Sequence, residues 1–215
     1  MVTPTIFTSK IGHSFEVEVE AMPATSFSLE KNLYPISLLK DLSKLKEQGI
    51  FLCGGSALAL FLGHSINTIK DYDFYCKDAN TQKYFEQYLI TNQGMVKTHV
   101  TDNALTFAPR SGSIKSKVQI IIRNFYPDYQ AVFADFDFSI CKVGYMGDYN
   151  YCFGPTARQH ILEKKLVLEG KATSDFFKRW FKYDLKGFKM PREQVADILK
   201  TVQNINFDAR LDMGY

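Results

Sequence analysis

The chain has 215 residues and is poor in the features that mark several functional classes. Its four cysteines, Cys53, Cys76, Cys141 and Cys152, stand singly with no CxxC spacing. Neither a disulfide framework nor a zinc site is expected from them, and all four read as reduced core residues. No run of 18 apolar residues occurs, which argues against a membrane-spanning helix. The opening MVTPTIFTSKIGHSF also lacks the basic start and long apolar core of a signal peptide. A soluble, cytoplasmic protein without a membrane partner is therefore expected. No GKS or GKT follows a glycine run and no serine sits in a GxSxG elbow, so neither a P-loop nor an α/β-hydrolase nucleophile is present. The histidines, His13, His64, His99 and His160, are too scattered for a metal triad. No internal repeat or low-complexity segment appears.

What is present is the composition of a folded protein: 46% hydrophobic, 23% charged and 14% aromatic residues. This length holds one good core, or one core with a helical appendage. The net charge of +3 hides an asymmetry, because Pro155 to Val202 carries 11 Lys and Arg against 6 Asp and Glu. Such an excess attracts phosphates, and it is also the ordinary charge of a solvated helix surface.

The most informative stretch is Phe51 to Lys77, FLCGGSALALFLGHSINTIKDYDFYCK. A turn of small residues, Gly54-Gly55-Ser56, follows the short apolar run Phe51-Leu52-Cys53 and opens a helical segment over 57–62 that stops at Gly63. A turn of this kind brings backbone N–H groups and a helix N-terminus up to a phosphate. Gly55 is the residue expected to admit a close ligand and to take positive φ. The run Asp71-Tyr72-Asp73-Phe74-Tyr75 then reads as a strand with carboxylates at i and i+2. Both point to one face, and Tyr72 and Phe74 point to the other. Two such carboxylates repel each other unless a cation lies between them, and Mg²⁺ is the simplest candidate.

The glycine-serine turn, the short helix ending in Leu62-Gly63-His64 and the DxD strand, in this order, resemble the signature of the polymerase-β nucleotidyltransferase superfamily. The likeness is greatest to the abortive-infection toxin type and related viral and phage proteins. The resemblance implies that Gly54, Gly55 and Ser56 hold a nucleoside triphosphate. It implies also that Asp71 and Asp73, with a third carboxylate, hold two metal ions, Mg²⁺ or Mn²⁺. The run Phe133 to Cys141 presents the next acidic pair in a strand-like setting, with Asp135, Asp137, Ser139 and Cys141 on one face. Asp137 lies deeper in it, and FDFSIC resembles the matching segment of viral and phage members; Asp135 stays open as the alternative. RWFKYDLKGFKM, Arg179 to Met190, resembles the basic helix that packs beside the active site in such proteins, with Arg179 and Lys182 placed to meet phosphate. Each of Lys178, Lys182 and Lys186 taken alone reads more readily as part of a solvated face.

Around this stretch, Phe15 to Glu20 alternates as a half-exposed strand, within a segment 1–35 that serves as an N-terminal arm or edge strand. Ile36, Leu38, Leu39, Leu42 and Leu45 predict an amphipathic helix over 36–48, ended by Gly49. A helix is expected over 80–92 with Asn80 as its N-cap. Strands follow over 95–100, 104–108 and 117–123, the last apolar on both faces at Ile120 to Ile122 and hence interior. A hairpin closes the sheet over 143–153. Helices are expected over 157–168, 174–186 and 191–202, with Pro191 in the first turn of the last. In the middle helix Phe177, Trp180, Phe181 and Leu185 form an apolar stripe, and Lys178, Lys182 and Lys186 recur on another face.

The resemblance implies an α+β fold, with which this order of elements is compatible. A nucleotidyltransferase-like core over 36–154, built on a mixed and mostly antiparallel sheet of about five strands, is followed by a helical portion over 155–215. The expected function is metal-dependent transfer of a nucleoside monophosphate from a triphosphate to a hydroxyl of an acceptor. RNA, tRNA, a protein side chain and a second nucleotide are all open as that acceptor. The alternative is a catalytically silent nucleotide- or RNA-binding module of the same fold, acting in virus–host conflict.

Overall fold

The computed structural model describes residues 36–110, 116–170 and 175–203, together with the backbone of three N-terminal strands, β1 (Thr5–Thr8), β2 (Ser14–Val17) and β3 (Val19–Ala21). Strands β1 and β2 pair with each other, and β3 forms one edge of the main sheet. That sheet has eight strands where about five were expected, in the order β3, β10 (Asn150–Phe153), β9 (Val143–Gly147), β4 (Ile50–Cys53), β5 (Asp71–Cys76), β8 (Lys117–Ile121), β7 (Ala104–Pro109) and β6 (Met95–Val100). Every pairing is antiparallel except β5 with β8. The apolar run Ile120 to Ile122 was expected on an interior strand, and β8 is one, flanked by β5 and β7. The β9–β10 hairpin turns through Asp148 (φ 51°) and Tyr149 (φ 61°), the two positive values that a tight hairpin turn demands.

Several helix boundaries differ from the periodicity. The expected 36–48 helix is two short ones, α1 (Ile36–Lys40) and α2 (Leu42–Glu47), separated at Asp41. Helix α3 (Gly55–Phe61) starts inside the glycine turn, so the turn is shorter than the sequence suggests. The cap of α4 (Ala79–Thr91) is Asp78, whose carboxylate accepts from the Thr81 N–H at 2.7 Å, and not Asn80. Helix α6 (Ala157–Leu162) ends six residues early, because Lys164 turns left-handed (φ 55°) and the chain continues as bridges to Phe138 and Lys189. Beyond it come α7 (Phe176–Asp184) and α8 (Arg192–Gln203), the latter opening after Pro191 as expected.

The two faces of β5 set up the site. On one, Tyr72 and Phe74 are fully buried, and the Phe74 ring packs on Phe85 of α4 at 4.8 Å. On the other, Tyr75 packs edge-on against Tyr126 and Phe136, and one step along the strand Asp73 and Asp71 emerge toward solvent. Helix α7 is held to the segment before β9 by Phe176, stacked on Phe138 at 5.6 Å, and by Tyr183, edge-on to the same ring. Burial of each of these rings contributes about 1.5–3 kcal/mol. The apolar stripe Phe177, Phe181 and Leu185 is not the packed face: these side chains are 46%, 64% and 88% exposed. All four cysteines are free and buried, as expected. Among the described residues no helix is long and apolar enough to cross a membrane.

Candidate functional site

The glycine turn is built by strain that only glycine accepts cheaply. Buried strand β4 ends at Gly54, whose φ of 80° and ψ of −139° lie in a region almost closed to residues with a Cβ. Its N–H donates to Val143 O at 2.9 Å, which pins the turn to β9. The positive φ expected at Gly55 therefore falls on Gly54. Gly55 is the first helical residue, and a Cβ there would meet only the Tyr183 hydroxyl, at 3.7 Å. Ser56 is 4% exposed, and its Oγ is buried without a hydrogen-bond partner. Such an atom costs free energy unless a ligand satisfies it. Gly54→Ala is expected to lose about 1–3 kcal/mol of stability through backbone strain, read as a lower urea midpoint with an unchanged slope. Gly55→Ala, free of that strain, should lose far less.

The DxD strand places Asp71 and Asp73 on one face, as the alternation predicts. Their partners on the parallel neighbour β8 are Lys117 and Gln119. Asp71 is exposed and Asp73 half-buried. Burial first, and the Asp71 charge second, push the Asp73 carboxyl up to about 6, against the opposing pull of Lys182 and Arg179. Two residues of α7 thus act electrostatically on the carboxylate of β5. The Phe136 ring joins the turn to the strand, since it packs on Tyr75 and lies 3.4 Å from the position of a Cβ at Gly54.

The segment carrying Asp135 and Asp137 is not a strand. Helix α5 (Tyr129–Ala134) ends at Asp135, and a bend at Asp137 leads into a 3₁₀ turn over Ser139–Cys141. The alternation of apolar residues at Phe136, Phe138 and Ile140 reads as a strand, but the helix end and the tight turn that follows bury every residue from Phe136 to Cys141. Asp135 is engaged at the surface, where its Oδ2 accepts from the Tyr126 hydroxyl (2.6 Å), Asn124 Nδ2 (3.2 Å) and Arg123 Nη2 (3.3 Å). Asp137 is 5% exposed; its Oδ1 accepts from the Phe138 N–H at 2.8 Å and pairs with Arg179 Nη2 at 2.8 Å. Its Oδ2 is buried without a partner.

Arg179 is therefore the link between the two acidic elements, paired with Asp137 and acting on Asp73. It also donates to Cys141 Sγ at 3.6 Å, and that sulfur lies 3.1 Å from the Tyr183 hydroxyl. Cys141 and Tyr183 were not singled out from the sequence, where each looks like one more apolar residue in its run. Lys182 is exposed, its Nζ 5.8 Å from the Tyr183 ring centre. Among the described residues no three His, Cys, Asp or Glu side chains are grouped to hold a metal ion. The pair Asp71 and Asp73 still fits one divalent cation, because a cation relieves the repulsion that raises Asp73. Asp137 fits a metal less well, with one oxygen already committed to a guanidinium.

Comparison with solved structures places this geometry in a known fold. The chain is similar to a CCA-adding enzyme in complex with ATP, with a TM-score of 0.58 and 14% identity over 78% of this chain and 41% of that one. It is similar to the Thermotoga maritima CCA-adding enzyme complexed with tRNA, with a TM-score of 0.54 and 14% identity over 78% and 42% of the two chains. A tRNA-processing enzyme in an apo form gives 0.55 and 13% over 81% and 48%. The chain spans less than half the length of these proteins. At such identity the likeness is one of fold, and the fold is α+β and nucleotidyltransferase-like. No curated protein sequence matches the chain. The sequence family described as Gabija anti-defense 2 matches residues 27–164, well over half of the length, and the chain belongs to that family.

Proposed function

We propose that this protein is a metal-dependent nucleotidyltransferase that moves a nucleoside monophosphate from a nucleoside triphosphate to an acceptor hydroxyl, and that it acts against the Gabija defence its family is named for. The observation that carries the reading is the same-face pair Asp71 and Asp73, the latter half-buried and raised by burial and then by the Asp71 charge, with Lys182 and Arg179 pulling the other way. Two carboxylates opposite two cations suit a metal–triphosphate, whose charges complement both. Gly54, Gly55 and the partnerless Ser56 hydroxyl would hold the terminal phosphates. Mg²⁺ or Mn²⁺ held by Asp71 and Asp73 would neutralise charge on the triphosphate and polarise the reacting phosphate.

The acceptor oxygen attacks the α-phosphorus, and the bond from that phosphorus to the bridging oxygen breaks. Pyrophosphate leaves with the electron pair, and the hydroxyl proton passes to the Asp71/Asp73 pair. Arg179 and Lys182 offset the charge that accumulates on the phosphates in this step. Asp137, expected from the sequence as a third metal ligand, is assigned instead to holding Arg179 in place.

A second reading, the catalytically silent module, draws support from the missing three-carboxylate group among the described residues. Incubation with each labelled ribonucleoside triphosphate, Mg²⁺ or Mn²⁺, and a mixture of RNA and protein separates the two. Transfer predicts covalent label on one acceptor class, reduced about 100-fold or more by Asp71→Asn. Metal-dependent triphosphate binding without label on any acceptor would establish the silent module.

A further inference from the structure

Helix α7 presents three faces, and only two are used by the site above. Phe176 and Tyr183 are buried against Phe138, and Arg179 and Lys182 act on the acidic residues. The third face carries Phe177, Phe181 and Leu185, at i, i+4 and i+8, all exposed. Exposed aromatic side chains in a row are costly in water and mark an interaction surface. Their rings are also ordered relative to one another: Trp180 lies nearly parallel to Phe181 (12°, centres 6.3 Å apart) and to Phe177 (23°, 6.2 Å).

Next to this stripe on the helix surface run Lys178, Lys182 and Lys186. Among the described residues none of the three is within ion-pair distance of a carboxylate; burial first, and the Lys182 charge second, hold the ammonium of Lys186, in the turn just past the helix, below its ordinary value. Among the described residues these lysines make no ion pair, and beside them lie the exposed rings of Phe177 and Phe181, each near-parallel to the half-buried Trp180; such a surface is complementary to phosphates on one side and flat bases on the other. From Phe177 to Leu185 the helix rises roughly 12 Å, the length of three or four stacked bases.

We infer that the outer face of α7 is a docking strip for single-stranded nucleic acid. Its backbone would lie on Lys178, Lys182 and Lys186, and its bases on Phe177, Trp180 and Phe181. The same helix reaches the site through Arg179, paired with Asp137 at 2.8 Å, and through Tyr183, whose hydroxyl lies 3.7 Å from the position of a Cβ at Gly55. The terminal hydroxyl of the docked strand is then the acceptor, a step that rests on the transfer reading above. The oxygen of that hydroxyl forms the new bond to the α-phosphorus, and pyrophosphate departs, so the strand grows by one nucleotide.

The test uses fluorescent single-stranded RNA and DNA octamers with the full chain, without triphosphate or metal, at 50 and 200 mM salt. Wild type is expected to bind, with affinity falling steeply with salt. Phe177→Ala with Phe181→Ala should weaken binding about tenfold or more while the thermal midpoint is retained. Lys178→Gln with Lys186→Gln should flatten the salt dependence. Equal affinity in wild type and the double-alanine variant would overturn the strip, as would a wild-type dimer that dissociates in the double-alanine variant, since the stripe would then be a face between copies. Metal-dependent triphosphate binding by wild type is measured separately. Its presence without octamer binding removes the strip alone, and its absence removes the transfer reading beneath it.

Discussion

Replacing Arg179 by methionine is expected to cost about 3 kcal/mol of folding stability, among the largest effects any single side chain in the site can have. The reason lies in Asp137. Its carboxylate is 5% exposed and, among the described residues, accepts from one other group, the Phe138 N–H, while its second oxygen has no partner. Removing the guanidinium leaves a buried charge almost uncompensated. The loss should sit at the low end of the range for such pairs, because Arg179 itself is 36% exposed and water can reach it. Asp137→Asn placed in the Arg179→Met background should recover much of the loss, since an amide carries no charge. Arg179→Lys should fall between, keeping the charge but not the fork that also reaches Cys141 Sγ. Chemical denaturation of wild type, Arg179→Met, Asp137→Asn and the double variant at neutral pH gives the coupling directly. A loss below about 1 kcal/mol in Arg179→Met would show that Asp137 is solvated, and its assignment as the anchor of Arg179 would fall.

The parts of this site that were legible in the sequence are those fixed by local chemistry. A strand with Asp at i and i+2 has to put both on one face, and β5 does so. A turn of two glycines and a serine between a strand and a helix has few alternatives, although which glycine carries the positive φ depends on the bond from Gly54 N to Val143 O, a contact 89 residues away along the chain. The nature of the Phe133 to Cys141 segment was not legible. Apolar residues at every second position are what a half-buried strand shows, and here a helix end, a bend and a 3₁₀ turn bury the polar residues between them as well. Helix α7 was ambiguous for a related reason. Phe176 and Tyr183 on one side and Phe177, Phe181 and Leu185 on the other are both apolar, and only the position of the Phe138 ring decides which side is buried. The Asp137–Arg179 pair joins residues 42 apart in sequence, and nothing local at either one announces the other. In each case what was missed is a tertiary contact that overrides or supplements the local pattern.

Metal affinity should depend on pH through Asp73. With its carboxyl raised to about 6 by burial and by the Asp71 charge, Asp73 is protonated in the metal-free protein below that pH, and a cation has to displace the proton. Binding of Mn²⁺ together with a nucleoside triphosphate is therefore expected to weaken toward about tenfold per pH unit below 6, and to level off above about 7. Proton release on binding should appear only below that plateau. The same shift has a consequence for the metal-free fold, with the opposite sign to an ordinary stabilising carboxylate. The folded group holds its proton more tightly than the unfolded one, so stability falls as pH rises from near 3.8 through about 6, and stays at the lower level above. Asp73→Asn removes the charged form and should make the metal-free protein more stable than wild type at pH 7.5. The gain should be on the order of 1–2 kcal/mol once partial exposure is discounted, with no gain at pH 4. The variant should also lose the pH-dependent part of metal binding. Thermal midpoints of the two proteins across pH 4 to 8, in chelator and then in Mn²⁺, read both effects. A wild type and variant of equal stability at every pH would mean that Asp73 titrates as a solvated carboxyl, and the electrostatic case for a cation at the DxD pair would be lost with it.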